Sequence, residues 1–357
     1  MSQLKNKKMS DKIKAFGTDA KDADLKEMEI ERRSILDNDV KIDILYCGVC
    51  HSDIHAAHND WGNTKFPIVP GHEIVGKVLE VGNDVTKYKK GDLVGVGCMV
   101  DSCQECGACK EDLEQFCDKG MVGTYNGKDK HSGNRTFGGY STSIVVREKF
   151  VLKVPENLDI KAVAPLLCAG ITTFSPLNHW KIKKGDKVGI IGLGGLGHMG
   201  IKFASSMGAE TIMITTSKEK ADDAKKLGAD AVIISKNDEE MKKHFGTFDF
   251  LLNTVPVKHD TNPYLQLLKR DSTMVMVGAI EPLEPMNGAN LIMGRKRIAG
   301  SLIGGIKETQ EMLDFCGEHN IVSDVEMIDM QDINTAFQRV EDSDVKYRFV
   351  IDMKSLK

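Results

Sequence analysis

The sequence predicts an α/β protein with a β-rich first domain and a second domain built around a doubly wound parallel sheet. The chain has 357 residues, which is enough for two domains. Before residue 160, short apolar segments interrupted by glycines are typical of strands in a small barrel-like domain. From residue 187 onward, strand and helix patterns alternate, and a glycine-rich turn joins the first pair.

The composition is that of an ordinary globular protein, with 41% hydrophobic residues, 28% charged residues and a net charge of −4. This acidic balance gives no electrostatic footprint for nucleic acid or for an anionic membrane. No apolar run approaches the roughly 20 residues that cross a bilayer. The basic N-terminal segment also lacks the apolar core of a signal peptide. We therefore expect a cytoplasmic protein without nucleic-acid or membrane partners.

The strands of the first domain are predicted from apolar segments between turn residues. Residues 40–46 alternate apolar and polar side chains, as a half-buried strand does. Further strands are predicted at 74–82, 93–96 and 143–146. After them, residues 162–177 predict a helix that is broken near Pro176, because proline cannot donate a backbone hydrogen bond.

Four of the nine cysteines are close together in the sequence: Cys103, Cys106, Cys109 and Cys117. In a chain without a secretory signal, such a cluster indicates a metal site rather than a disulfide framework. Four thiolates fill all positions around a tetrahedral zinc ion, so this site would be structural. The alternative is an iron–sulfur cluster, but bacterial ferredoxins use a shorter last gap followed by proline, whereas Asp118 follows here.

A second metal site is predicted earlier in the chain. Cys50 and His72 are predicted ligands of a catalytic zinc, and the distant Cys168 is the candidate for the third ligand. Two thiolates and one imidazole leave the fourth position of a tetrahedral ion open, which is the arrangement of a catalytic zinc. A cysteine in an apolar helix is more often a small buried side chain, so only the context of Cys168 favours it as a ligand.

The second domain begins with a nucleotide-binding pattern. A buried strand at 187–191 runs into a glycine-rich turn that opens a helix continuing to Met207. In this context the glycines allow a tight turn and close backbone approach to a pyrophosphate at the helix N-terminus. The predicted contact residues are Gly192, Leu193, Gly194, Gly195, Leu196 and Gly197. Further strands are predicted at 211–215, 231–234, 248–252 and 273–277, and helices at 218–227 and 263–268.

The end of the second strand of this domain indicates which dinucleotide binds. Enzymes that use NAD place Asp or Glu about 20 residues after the glycines, where it binds the ribose 2′-hydroxyl. Here Ile214 is followed by hydroxyl and lysine side chains, which attract a 2′-phosphate. Glu219 is the one discordant charge, and we expect it to point outward. The sequence therefore predicts NADP(H), bound through Thr215, Thr216, Ser217 and Lys220.

The last part of the chain is predicted to return to the first domain. Residues 306–319 form an amphipathic helical pattern, and residues 347–351 predict a late strand. The resulting assignment is a catalytic domain with two zinc sites at 11–160 and 300–357, and an NADP-binding domain at 161–299.

Together these motifs resemble the zinc-dependent medium-chain alcohol dehydrogenases, and most closely the cinnamyl alcohol dehydrogenase branch of NADP-dependent aldehyde reductases. The motifs are C-G-V-C-H-S-D at 47–53, P-G-H-E at 70–73, P-L-L-C-A-G-I-T at 165–172, G-L-G-G-L-G-H-M-G at 192–200 and L-I-M-G-R-K at 291–296. The resemblance implies a GroES-like catalytic domain, a Rossmann cofactor domain and a homodimer with two Zn²⁺ per subunit.

The resemblance also implies a mechanism, in which hydride passes between an alcohol carbon and the nicotinamide while zinc polarises the oxygen. In the family a hydroxyl begins a proton relay that a histidine can end, and the corresponding residues here are Ser52 and His55. Glu73 adjoins His72 and is either a transient ligand or a structural charge partner. Asp53 is expected to orient a ligand or a neighbour. Further cofactor contacts are expected from Thr172, Thr254, Val277, Gly278, Ser301 and Ile303, and substrate contacts from Asp60, Trp61 and Val122.

One departure from the family bears on the substrate. Plant lignin-pathway members carry a tryptophan shortly after the last structural cysteine, where this chain has Gly120-Met121-Val122-Gly123. We therefore expect aromatic (cinnamaldehyde-like) and medium-chain aldehydes rather than bulky monolignols as substrates.

Two other functions compete with this interpretation. An NAD-linked alcohol dehydrogenase of the same fold is disfavoured because no acidic residue directly follows Ile214. A non-catalytic protein that binds zinc and nucleotide is disfavoured because binding alone would not require a metal site with an open position.

Overall fold

The computed structural model describes residues 11–278 and 281–357. The chain divides into two compact units, here called the first unit (residues up to Cys168, together with Gly305–Lys357) and the second unit (Ala169–Gly304). These bounds lie slightly beyond the expected ones at residues 160 and 299. The difference at the first bound arises because the helical turns at 160–167 pack against strands of the first unit.

The strands are, in chain order, β1 (Asp11–Gly17), β2 (Lys26–Arg32), β3 (Asp39–Gly48), β4 (Ile74–Val81), β5 (Leu93–Val96), β6 (Met99–Asp101), β7 (Val122–Gly123), β8 (Ser143–Arg147), β9 (Leu152–Lys153), β10 (Lys187–Ile191), β11 (Glu210–Thr215), β12 (Ala231–Ile234), β13 (Phe248–Asn253), β14 (Leu268–Met276), β15 (Arg297–Gly300), β16 (Val325–Asp329) and β17 (Arg348–Asp352). The α-helices are α1 (His51–Ala57), α2 (Gly107–Lys110), α3 (Ile160–Val163), α4 (Ala169–His179), α5 (Gly197–Ser206), α6 (Ala221–Lys226), α7 (Asp238–Lys242), α8 (Asn262–Leu267), α9 (Ala289–Ile292), α10 (Ile306–His319) and α11 (Ile333–Glu341).

The first unit is organised around a seven-stranded sheet in the order β16-β17-β3-β4-β5-β9, with β8 also pairing with β3. The pair β16–β17 is parallel, and β3 pairs antiparallel with β4, β8 and β17. Alternate residues of β3, such as Ile42 and Ile44, are fully buried, which is the pattern that predicted this strand. Because β17 pairs with β3, the C-terminal segment returns to the first unit, as expected.

The second unit contains a six-stranded parallel sheet in the order β12-β11-β10-β13-β14-β15. The chain proceeds outward from β10 in one direction and then from β13 in the other, so the sheet is doubly wound. In such sheets the ligand binds beyond the carboxyl ends of the strands, where the order reverses. The apolar core is formed by side chains that include Ile191, Ile214, Phe248, Leu251 and Met274. The predicted fold class, a β-rich domain and a doubly wound α/β domain, is confirmed.

The predicted helix at 162–177 is not continuous, and its interruption lies at a different residue from the one we expected. It consists of α3, a 3₁₀ turn at Ala164–Leu167 and α4, and the chain leaves helical geometry at Cys168, which has φ −132° and ψ −69°. Pro176, where we expected the break, lies inside α4. The residues of α4 from Ala169 to Leu177 are all buried, so their packing outweighs the backbone hydrogen bond that proline cannot make. The predicted helix at 218–227 is likewise a 3₁₀ turn, Lys218–Lys220, followed by α6.

Candidate active site

The first unit brings together Cys50, His72 and Cys168, which are far apart in the sequence. The Sγ atoms of Cys50 and Cys168 are 3.9 Å apart. One candidate ligand atom from each of these residues and from Glu73 lies within 4.8 Å of all the others. Two thiolates bound at about 2.3 Å to one tetrahedral zinc would be about 3.8 Å apart, so the donor set and its spacing fit zinc.

Asp53 links two of these residues. Its carboxylate accepts hydrogen bonds from Nδ1 of His72 at 3.0 Å and from the backbone N–H of Cys50 at 3.0 Å. It also accepts the backbone N–H of Gly71 at 2.9 Å and the hydroxyl of Tyr140 at 3.2 Å. Because Nδ1 donates to Asp53, Nε2 is the nitrogen of His72 that can bind a metal.

The two thiols of the site differ in acidity. A hydrogen bond from Cys168, together with the nearby imidazole of His72, holds the pKa of Cys50 well below its ordinary value. The pKa of Cys168 is raised, first by the hydrogen bond that it gives Cys50. Cys50 is therefore the thiol that is more readily available as a thiolate ligand.

Glu73 is fully buried next to His72, and its charge is balanced by Arg348 of β17. The guanidinium of Arg348 donates to Oε1 of Glu73 and, at 2.8 Å, to the carbonyl of Val49. Burial nevertheless raises the pKa of Glu73 to about 7. Among the described residues, Oε2 of Glu73 has no hydrogen-bond partner, and a Cβ at Gly48 would lie only 1.9 Å from it. This geometry is compatible with both roles considered for Glu73, that of a transient metal ligand and that of a structural charge partner.

Sequence reasoning missed Arg348, although it completes the surroundings of Glu73. The predicted late strand at 347–351 contains it, and that strand was expected to return to the first domain. The sequence shows that this returning strand carries an arginine. It contains no motif that indicates which acidic residue the arginine would contact.

The predicted relay residues lie on α1. Ser52 and His55 are three residues apart, so they share one face of the helix. Nδ1 of His55 is 2.7 Å from Oδ2 of Asp60, and the ring of Trp61 lies 5.5 Å from the ring of His55. Asp60, which we assigned to the substrate pocket, is thus a direct partner of His55, the predicted relay histidine. Trp61 is 46% exposed, whereas Val122, the third predicted pocket residue, is buried in β7.

Tyr125 is another neighbour of the site that the sequence did not reveal. Its ring lies 5.6 Å from the ring of His72, and its hydroxyl donates to the backbone carbonyl of Ser52 at 3.0 Å. No periodicity or ligand spacing singles it out, because it lies in a loop between two glycines.

The four clustered cysteines form a separate group in the first unit. The Sγ atoms of Cys103, Cys106, Cys109 and Cys117 all lie within 4.8 Å of one another. Backbone N–H groups donate to sulfur at 3.4 Å, from Cys103 to Cys117 and from Cys106 to Cys103, which favours thiolates. Four thiolates at this spacing fit a tetrahedral zinc without an open position.

In the second unit, the glycine-rich turn follows β10 and leads into α5. Gly192 has φ +93°, a conformation that favours glycine. A Cβ at Gly197 would lie 1.9 Å from the carbonyl oxygen of Gly192, whereas a Cβ at Gly194 would meet no atom of the described residues within 4 Å. The turn is therefore tightly packed at Gly197, and it has open space at Gly194, where a pyrophosphate would approach the backbone.

The residues after β11 are arranged around Lys220. Its ammonium donates to the carbonyl of Leu193 at 3.1 Å, which places a cation beside the glycine-rich turn. Thr215 is buried and Thr216 is exposed. Glu219 is exposed, in agreement with the expectation that it points outward. Its carboxylate also accepts a hydrogen bond from the hydroxyl of Ser217, which the sequence did not reveal.

The other predicted cofactor residues also belong to the second unit. The hydroxyl of Thr254 donates to the carbonyls of Ile191 and Gly192, at 2.8 and 3.1 Å, so it ties the end of β13 to the glycine-rich turn. Val277 and Gly278 follow β14, Ser301 and Ile303 follow β15, and Thr172 is buried in α4. Except for Thr172, these residues follow the carboxyl ends of the parallel strands, where such sheets bind ligands.

Comparison with known proteins adds family information. The chain matches the models of the alcohol dehydrogenase GroES-like domain at residues 36–156 and of the zinc-binding dehydrogenase at residues 195–318. The aldehyde reductase YahK of Escherichia coli (strain K12) is 55% identical over 347 residues, covering 97% of this chain and 99% of that protein.

Two solved structures are also similar over their full length. A cinnamyl alcohol dehydrogenase from Sorghum bicolor superposes with a TM-score of 0.94 at 43% identity, covering 97% of this chain and 99% of that chain. The CAD structure from Helicobacter pylori, complexed with NADP(H), has a TM-score of 0.91 at 43% identity, covering 98% and 100%. The predicted GroES-like domain and the predicted reaction class, oxidoreduction of alcohols and aldehydes, are confirmed by these matches. With relatives that cover nearly its whole length, the chain belongs to the zinc-dependent medium-chain alcohol dehydrogenases, in the branch of the cinnamyl alcohol dehydrogenases.

Proposed function

We propose that this chain transfers hydride between NADP(H) and a primary alcohol or its aldehyde, and that it acts mainly as a reductase of aromatic and medium-chain aldehydes. The observation that carries the proposal is the donor set of Cys50, His72 and Cys168, which would supply three ligands of a tetrahedral ion. When bound there, zinc would act as a Lewis acid toward the substrate oxygen. The relative from Escherichia coli is named an aldehyde reductase, which supports the proposed direction.

Ser52, His55 and Asp60 are the proposed proton path. Reduction of an aldehyde consumes a proton as well as a hydride, and oxidation of the alcohol releases one. The hydroxyl of Ser52 would exchange this proton at the substrate oxygen, and His55 would exchange it with solvent. Asp60 accepts a hydrogen bond from Nδ1 of His55, so it fixes the orientation of the ring.

The proposed cofactor is NADP(H), bound in the second unit. Lys220 and the hydroxyls of Thr215, Thr216 and Ser217 would hold the 2′-phosphate, because cations and hydroxyls attract it and a carboxylate repels it. The Helicobacter pylori relative was solved with NADP(H), which supports this choice. The hydrogen bond between Ser217 and Glu219 is the one feature that weakens it. An NAD-linked enzyme of the same fold is therefore the alternative.

The proposed metal content is two zinc ions per subunit, one catalytic and one structural. Both four-residue groups have the donor atoms and spacing for one ion. A non-catalytic protein that binds zinc and nucleotide would have no need of three ligands with an open position beside a hydroxyl and a histidine.

The proposed assembly is a cytoplasmic homodimer. β15 is the last strand of the parallel sheet, so one of its edges is unpaired among the residues that the structure describes. Nearby, Ile292 and Met293 are 80% and 87% exposed, which favours burial against a second copy. Among the described residues, no single helix is long and apolar enough to cross a membrane, and only the bent pair Ile160–Leu167 and Ala169–His179 passes that test by length and composition.

Initial rates of cinnamaldehyde and benzaldehyde reduction, with NADPH and with NADH, test the proposal. The wild type is compared with Cys50→Ala and with Cys316→Ala, which removes a buried thiol from α10 as the matched control. We expect activity that prefers NADPH, is lost in Cys50→Ala and persists in Cys316→Ala. A preference for NADH would overturn the cofactor assignment alone. Protein that carries metal but reduces neither aldehyde would contradict the proposed substrates and favour the binding protein.

A further inference from the structure

We propose that Tyr125 is a positioning residue for the reaction, whose ring holds the imidazole of His72 and whose hydroxyl holds the backbone of Ser52. The proposal rests on the proposed function, because these two residues are the candidate metal ligand and the start of the candidate proton path. One side chain would thereby fix the metal centre and the relay relative to each other.

The contact with His72 involves the aromatic ring. The two ring centroids are 5.6 Å apart, and the ring planes are inclined by 55°. The hydrogen bond from Nδ1 to Asp53 fixes one edge of the imidazole. That bond alone leaves the ring able to tilt about the Nδ1–Asp53 direction. The ring of Tyr125 limits this tilt, so the two contacts together set the direction in which Nε2 points.

The contact with Ser52 involves the hydroxyl. The Tyr125 hydroxyl donates to the carbonyl of Ser52 at 3.0 Å. Ser52 lies in the first turn of α1, and Cys50 is the residue that caps this helix. A helix of seven residues has little stability of its own, so an added bond to its first turn restricts its movement. The bond therefore limits how far the hydroxyl of Ser52 can move from the metal ligands.

The backbone on either side of Tyr125 is anchored, so its side chain has a fixed origin. Before it, Thr124 donates from its backbone N–H to the carbonyl of Cys98 at 3.1 Å and from its hydroxyl to the carbonyl of Gly97 at 2.5 Å. After it, Oδ1 of Asn126 accepts the backbone N–H of Lys65 at 3.0 Å. Thus the segment 124–126 joins the chain after β5 to the loop after α1, with Tyr125 between the two anchors.

Two substitutions separate the ring from the hydroxyl. Tyr125→Phe removes only the bond to Ser52, so we expect kcat for benzyl alcohol oxidation to fall about fivefold, the worth of one hydrogen bond. Zinc content and the rate of zinc release to the chelator 4-(2-pyridylazo)resorcinol should stay at wild-type values. Tyr125→Leu also removes the ring, so we expect zinc release to become about tenfold faster. This is the lower end of the range by which metal affinity falls when a residue that orients a metal ligand is replaced.

Tyr88→Phe is the matched control. Tyr88 also lies in the first unit and is partly buried, and its hydroxyl donates to a backbone carbonyl, that of Val151, at 2.7 Å. Its hydroxyl is bonded to Val151, whereas the hydroxyl of Tyr125 is bonded to Ser52. We expect this variant to keep the wild-type kcat and zinc release. An equal loss in Tyr88→Phe and Tyr125→Phe would mean that only general stability had changed, which would overturn the proposal.

A double variant separates positioning from stability. In a Ser52→Ala background the relay hydroxyl is absent, so Tyr125→Phe should lower kcat no further. An independent structural effect would lower kcat by the same factor in both backgrounds, and that result would overturn the role assigned to the hydroxyl. Unchanged zinc release in Tyr125→Leu would overturn the role assigned to the ring.

The proposal remains testable if the proposed function fails. Wild-type protein without activity toward benzaldehyde or benzyl alcohol would contradict the proposed substrates, but zinc release would still measure the effect of the ring. Amide hydrogen exchange at residues 51–57 would then measure the effect of the hydroxyl. Exchange should be faster in Tyr125→Phe than in the wild type and Tyr88→Phe, and equal exchange in all three would overturn the proposal.

Discussion

Asp53 accepts a hydrogen bond from Nδ1 of His72 at 3.0 Å, and the two side chains are only 0% and 5% exposed. Replacing Asp53 by Asn keeps its size but removes the charge that fixes the histidine. We expect Asp53→Asn to weaken zinc binding at this site by about 10- to 100-fold, as loss of a ligand's hydrogen-bond partner does elsewhere. Equilibrium competition with a chelator measures this change. Asp43→Asn, in the surface pair with Lys357, is the control; equal affinities in the two variants would contradict the prediction.

The buried pair of Glu73 and Arg348 predicts that a single substitution lowers the free energy of unfolding more than a double substitution does. Arg348→Met leaves the carboxylate of Glu73 buried without its partner, so we expect a loss of roughly 3–5 kcal/mol in the free energy of unfolding. Adding Glu73→Gln should restore part of that loss, because it removes the buried charge. Urea denaturation of the three proteins measures both effects. A double variant less stable than Arg348→Met would argue against an uncompensated charge as the cause.

Lys220 predicts a change in cofactor discrimination. Its ammonium lies beside the glycine-rich turn, so we expect Lys220→Ala to raise KM for NADPH about tenfold, the worth of one charge-assisted hydrogen bond. KM for NADH should stay unchanged, because NADH has no 2′-phosphate. Lys226→Ala on α6 removes an exposed lysine as a control. If both values of KM rose together, Lys220 would act on the fold of the turn rather than on the phosphate.

Glu219 predicts an effect of opposite sign. Its carboxylate accepts the hydroxyl of Ser217 and adds a negative charge near the expected position of the 2′-phosphate. We expect Glu219→Gln to lower KM for NADPH by about two- to fivefold, the range of an exposed charge interaction. The gain should shrink at high salt, because salt screens exposed charges. An unchanged KM at low salt would show that Glu219 is remote from the phosphate.

The four clustered cysteines, if they hold the proposed zinc ion, predict a local effect on α10. Glu114, between Cys109 and Cys117, accepts the backbone N–H of Ile306 at the start of this helix at 3.1 Å. We therefore expect Cys109→Ser to lose one zinc per subunit and to speed amide hydrogen exchange in the first turn of α10. Mass spectrometry of the intact protein and of exchanged peptides measures both. Cys316→Ala keeps all four ligands and should change neither; loss of zinc without faster exchange would separate the metal from the helix.

The sequence was sufficient to predict those strands and helices whose formation depends on a local periodic pattern of apolar residues. The strand at 40–46 and the helix at 306–319 were predicted within a few residues, because alternation and a 3.6-residue period are visible without the rest of the chain. α1 was missed for the opposite reason. It has only seven residues, and its sequence, H-S-D-I-H-A-A, follows the chemistry of the site rather than an apolar stripe.

The candidate site shows the same division. Ligand spacing brought out Cys50, His72 and the four clustered cysteines, and their assignments stay predictions that metal analysis can test. Arg348 and Tyr125 were not found, because their importance comes from contacts with residues far away in the chain. The interruption of the predicted helix at Cys168 could not be placed either, because no glycine or proline marks that position in the sequence.

The position of β17 in the chain has a consequence for biosynthesis. Arg348 is translated only after the whole second unit has been made, whereas Cys50, His72 and Glu73 leave the ribosome much earlier. Until then the candidate site has a carboxylate without its cation, and β3 lacks the neighbour that β17 later provides. We therefore expect a polypeptide interrupted before β17 to lack both the charge partner of Glu73 and one strand of the sheet that carries the candidate ligands.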